Sequence, residues 1–130
     1  MTAYDTFRES FFKALFWSET CEDDEGNDSC GWENFKWADY TDLETEGATQ
    51  LDADCKSFWK EFVALVGKEA AAWRASKAGS DFCFTRNGHG VGFWDGDWPR
   101  YGSQLTKMGK LYGSCHLMYQ GENVPIHVHS

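Results

Sequence analysis

The chain has 130 residues and a net charge of −9, with 42% hydrophobic and 17% aromatic residues. That length is one ordinary domain, and the seven Trp, ten Phe and five Tyr can close a compact core, which excludes a chain disordered throughout. The charge is uneven: residues 1–55 hold fifteen acids against three bases, while residues 56–130 hold six acids against nine bases, so a field that repels nucleic acid and membrane surfaces is concentrated in the first half.

The start, MTAYDTFRES, has no basic, apolar leader, and no apolar run reaches membrane-spanning length, so a cytosolic, non-membrane protein is expected. The five cysteines, Cys21, Cys30, Cys55, Cys83 and Cys115, include no C-x-x-C pair. In a reducing compartment they read as free and mostly buried thiols.

Residues 5–17 predict a first helix, with Phe7, Phe11 and Leu15 on one face and Thr6 and Glu9 at capping-box spacing. The acidic, Gly-containing stretch that follows reads as a loop. Trp32–Tyr40 is aromatic and fits either a short helix or an irregular packed segment, and 39–49 is again polar. A long helix is expected from about Asp52 to Ser76, where Cys55, Phe58, Trp59, Phe62, Val63 and Val66 follow the helical period, with Gly79 placed to stop it.

Beyond Gly79 the period suggests strands. DFCFTR alternates, NGHGVG supplies an Asn-Gly turn pair, and VGFW would return as a second strand. A short helix over 103–112 comes next, then a terminal hairpin of CHLMY and VPIHVH, with Pro125 marking a sheet edge. The predicted fold is α+β: one domain, 1–79 helical and acidic, 80–130 hairpins with a short helix. About four antiparallel strands would pack on two or three helices.

The segment DFCFTRNGHGVGFWDGDW, residues 81–98, with LTKMGKLYGSCHLMYQGEN, residues 105–123, resembles a family of small acidic tailed-bacteriophage proteins that carry TRNGHG-x-GFWD and are generally without an assigned activity. The resemblance implies phage or mobile-element origin and a host-cytoplasmic location. Small acidic phage proteins often act against host defence nucleases, so it also points to a non-enzymatic inhibitor of a host nucleic-acid-binding complex, of the anti-CRISPR or anti-restriction kind.

Physically, such an inhibitor would set a row of carboxylates where DNA phosphates normally sit. Glu22, Asp23, Asp24, Glu25, Asp28, Asp39, Asp42, Glu44, Glu46, Asp52 and Asp54 are the candidate row, with Trp32 and Trp37 as candidate anchors. The partner would be a basic protein surface rather than nucleic acid or membrane.

Two other readings stand beside it. Arg86, His89 and Asp95 around the glycines could bind a ligand or do acid–base chemistry, or could simply tie a tight turn together. A virion or host-takeover accessory role is the other. No cofactor is expected. His116, His127 and His129 lack C-x-x-C or H-x₃-H spacing and read as surface histidines rather than a metal site.

Overall fold

In the computed structural model the described residues are 1–18, 38–89, 92–94, 96–118, 120–121 and 123–129. Within them the protein is mainly helical, which corrects the four-strand α+β expectation. Five helices are present: α1 Ala3–Ser18, α2 Thr45–Val66, α3 Lys68–Trp73, α4 Ala75–Arg86 and α5 Gly102–Lys110. A 3-10 turn, Tyr40–Asp42, precedes α2, and two strands, β1 His116–Met118 and β2 His127–His129, form the described sheet.

Helix α1 falls where the period placed it, but its cap lies one turn earlier. The Thr2 hydroxyl accepts from the Asp5 amide at 3.1 Å and the Asp5 carboxylate accepts from the Thr2 amide at 3.0 Å, a reciprocal box at the Thr2 end. The expected long helix is three. Gly67, at φ 94°, separates α2 from α3, and Arg74 separates α3 from α4. Helix α2 also starts earlier than expected, at Thr45, within the stretch read only as polar.

The largest correction concerns DFCFTR, which is the last half of α4 and not a strand. Its buried positions Ala75, Ala78, Gly79, Phe82, Cys83 and Arg86 follow the helical period. The sequence hides this because α4 is enclosed on several sides and buries the polar residues Asp81, Thr85 and Arg86 along with its apolar ones. Gly79, expected to end a helix, lies inside α4 and faces α1. A side-chain carbon there would strike the Phe7 carbonyl and the Phe11 amide, so the residue permits the close and extensive pairing of α1 with α4. The second strand expected from VGFW is likewise absent: Gly92, Phe93 and Trp94 form a turn that drops Phe93 into the core.

Phe58 is at the centre of that core. Its ring lies 4.1 Å from that of Phe82, 5.7 Å from Phe93 and 5.8 Å from Phe7, all close to parallel. Phe11, Phe62, Leu15, Leu51, Leu105 and Ile126 are fully buried around it. Cys55, Cys83 and Cys115 are buried, and burial pushes the Cys55 thiol well up, which keeps it protonated and inert. Cys21 and Cys30 lie outside the described residues.

The terminal hairpin forms as expected, antiparallel, with His116 opposite His129, Leu117 opposite Val128 and Met118 opposite His127. It is fastened to the start of α2. Leu43 and Ile126 make a parallel bridge, the Glu44 amide donates to Ile126 O, and the Ile126 amide donates to Asp42 O. Gly47 provides a flat seat for Val128, whose methyl carbon lies 2.5 Å from where a Cβ would stand.

Candidate functional site

The TRNGHGVGFWD segment begins inside α4 and runs through its end. Asn87, Gly88 and His89 close the helix in a Schellman motif. Gly88 takes φ 71°, its amide bonds Thr85 O at 3.3 Å, and the His89 amide bonds Phe84 O at 3.0 Å. The rings of Phe84 and His89 meet edge to face at 5.4 Å, the apolar contact that usually accompanies this cap. Asn-Gly, read as a hairpin turn, is therefore a helix stop.

The side chains of Thr85, Arg86 and Asn87 are used internally. Thr85 Oγ1 accepts from the Phe93 amide at 3.1 Å, and Asn87 Oδ1 accepts from the Cys115 amide at 2.7 Å. Arg86 is the centre of this arrangement. Its Nε donates to Gly113 O at 2.8 Å, and its Nη2 donates to Tyr112 O and pairs with Asp54 at 3.1 Å. The guanidinium is 3% exposed, so it clasps α4, α2 and the end of α5 rather than offering a charge to a ligand. Burial lowers the His89 pKa, and electrostatic repulsion from nearby His116 adds to the effect. Asp95 lies outside the described residues. Arg86 and His89 thus divide into a buried clasp and a cap.

The acidic row is also partly used up. Asp52 pairs with Arg8 at 2.5 Å and receives the Tyr4 hydroxyl at 3.3 Å, and burial beside this carboxylate drives the Tyr4 pKa up. Arg8 in turn stacks on Tyr40 at 4.3 Å. Asp54 holds Arg86, and Glu44 holds His127 at 2.6 Å and the Val128 amide at 3.1 Å. Asp39 and Asp42 cap the 3-10 turn reciprocally, and the hydrogen bonds from Thr41 lower the Asp39 pKa. Glu46 is left exposed on the first turn of α2. Glu22, Asp23, Asp24, Glu25 and Asp28, with Trp32 and Trp37, lie outside the described residues.

Sequence reasoning missed a second buried network. Asp81, 3% exposed, accepts from the Trp98 indole at 2.6 Å and from Lys77 at 3.2 Å. Lys77 also reaches Asp97 at 2.9 Å, while Arg74 stacks over Trp98 at 3.9 Å and donates to Asp97 O. This network fastens the 97–98 loop to α3 and α4. The signal was the i, i+4 spacing of Lys77 and Asp81, which reads as helical once the strand assignment is dropped. Beside α1 and Tyr40 lies a cavity of about 820 Å³ with Arg8, Phe12, Trp17 and Phe84 in its lining.

Comparison of the chain with family models, with curated proteins and with solved structures found no match. No helix among the described residues is long and apolar enough to cross a membrane.

Proposed function

We propose that this is a phage or mobile-element anti-defence protein that binds a host nucleic-acid-binding complex and inhibits it, as an anti-CRISPR or anti-restriction factor acting in the host cytoplasm. The observation that carries the reading is the charge division, −12 over residues 1–55 against +3 over the remainder. A negative half of that density is attracted to the basic grooves with which such complexes hold nucleic acid, and repelled by nucleic acid and anionic membranes themselves.

The reading is supported by the way Thr85, Arg86, Asn87 and His89 are spent on holding the fold, which removes the motif's appeal as a reaction centre. It places the interface on the acidic half, with Glu46 and Glu22–Asp28 as the residues that meet the partner, while Asp52, Asp54 and Glu44 serve as structural anions.

The test is affinity capture from host cells, followed by association kinetics with the captured Cas or restriction complex across a salt series. Attraction between exposed charges is screened over about 8 Å at physiological ionic strength, so association should slow steeply as salt rises. Neutralising Asp23, Asp24 and Glu25 together should slow it in the same way at low salt. Association that ignores both salt and these substitutions would refute mimicry of nucleic acid, and co-purification with virions alone would favour an assembly role.

A further inference from the structure

Residues 56–130 carry a net charge of +3, and three of their cations stand at or beside one groove. The groove holds about 500 Å³ and runs between Phe93, Trp94, Trp98 and Arg100 on one side and Ser103 and Lys107 of α5 on the other. That volume falls within the roughly 300–1,000 Å³ typical of small-molecule sites. Its aromatic wall is fixed by the core. Trp98 is 5% exposed with its indole bonded to Asp81, and its ring meets Phe93 edge to face at 5.3 Å. At Gly102, the first residue of α5, a side-chain carbon would stand 2.6 Å from the Phe93 carbonyl, so helix and turn abut directly. Trp94, by contrast, is 41% exposed.

Arg100 and Lys107 are the charged residues of the lining, and no carboxylate joins them among the described residues. Lys110, three residues beyond Lys107 on α5, places its Nζ 5.9 Å from the centroid of the Trp94 ring. Side chains three apart on a helix are neighbours, so both lysines stand beside Trp94. None of the three cations pairs with an acid among the described residues, and Asp97 is drawn to Lys77 at 2.9 Å.

We propose that this groove binds a nucleotide, with the base stacked on Trp94 and the phosphates held by Arg100, Lys107 and Lys110. An exposed indole offers a π face on which any base can stack, and ammonium and guanidinium groups are the usual partners of phosphate oxygens. A simple anion would use the cations and leave the indole idle, and an apolar ligand would use the indole and leave the cations idle. A nucleotide uses both ends. The same chemistry is presented by a free nucleotide and by one nucleotide of a single strand. The groove shares no residue with the acidic interface proposed above, so either assignment can fail while the other stands.

The experiment is calorimetric titration of the full chain with ATP, adenosine, tripolyphosphate and hexathymidylate, with the indole N–H signals followed by nuclear magnetic resonance. ATP or hexathymidylate should bind saturably and shift the Trp94 indole signal. Adenosine and tripolyphosphate, each carrying half of the recognised chemistry, should bind more weakly than ATP by about tenfold or more. W94L, which keeps bulk but no ring, should lose about tenfold or more in affinity for ATP and none for tripolyphosphate, and W94F should retain most of the ATP affinity. K107Q/K110Q should weaken ATP and tripolyphosphate together and leave adenosine unchanged. Melting temperatures should stay at the wild-type value, because both lysines are exposed. Tighter binding of ATP than of hexathymidylate would assign the groove to a free nucleotide. The reverse, with affinity falling as salt rises, would assign it to a single strand. Absence of saturable binding by both would overturn the site. So would tripolyphosphate binding as tightly as ATP, or ATP binding undiminished in W94L.

Discussion

Arg86 shows what a single buried charge does in this protein. It is the cation of Asp54, it satisfies the carbonyls of Tyr112 and Gly113, and its Nη1 is buried without a hydrogen-bond partner among the described residues. Cutting Arg86 to Ala would strand the Asp54 carboxylate, which is 14% exposed, together with two carbonyls. The expected loss is about 3–5 kcal/mol, the usual cost of breaking a buried pair from one side, read by urea unfolding. His89→Ala, in contrast, should cost under about 1.5 kcal/mol, since it removes a half-buried ring contact and leaves the backbone cap intact. The same titration has a pH signature. Burial lowers the His89 pKa in the folded state, so the unfolded chain binds the proton first. Its contribution is therefore complete above about pH 6.5 and falls away as the pH drops through the lowered folded value. His89→Ala should flatten that part of the stability–pH curve; an unchanged slope would place its origin elsewhere.

At the scale of the elements, the crossing of α1 and α4 governs the packing. Gly79→Ala should improve intrinsic helix propensity by about 1 kcal/mol, yet the added carbon meets the backbone of Phe7 and Phe11. Backbone cannot swing aside as a side chain can, so the helices must part, and a net loss of about 1–3 kcal/mol in thermal unfolding is expected. A gain in melting temperature would show that the crossing is looser than described. This is also where the sequence was hardest to read. The first helix, the core face of α2 around Phe58 and Phe62, the short α5 and the terminal hairpin were all legible, because one face of each is apolar at a clear period. Helix α4 was not, because Asp81, Thr85 and Arg86 are buried on it and its Phe82–Phe84 spacing imitates a strand. The Asn-Gly pair then completed a false hairpin, since glycine at positive φ serves a helix stop and a two-residue turn equally well. The roles of the motif's polar groups were equally hidden, as their partners Asp54, Tyr112, Gly113 and Cys115 are distant in sequence.

Over the whole molecule, the acids divide by duty. Those of 42–54 that contact the core or the hairpin are structural anions, and Glu46 projects into solvent at a helix N-terminus, where its charge is favourable. Asp52→Asn should therefore cost about 1 kcal/mol by weakening the Arg8 pair and the Tyr4 hydrogen bond, whereas Glu46→Gln should change stability by less than about 0.5 kcal/mol. Differential scanning calorimetry of the two variants checks this, and equal losses would mean that the division is wrong. The practical value of the division is that partner binding can be probed by changing Glu46 without confusing lost affinity with lost fold.

The bridge between Leu43 and Ile126 has a consequence for the order in which the protein can be made. Its two halves are joined through residues more than eighty positions apart, and Val128 must reach both Gly47 and Glu44. Helices α1, α2 and α4 can associate once residue 86 has emerged from a ribosome, but the start of α2 keeps bare Leu43 and unpaired backbone at residues 42–44 until residue 128 arrives. Closing so long a loop is slow relative to local helix formation, so the arrival of residues 126–128 sets when the domain becomes a closed unit. During that interval the edge at 42–44 is open to other strands.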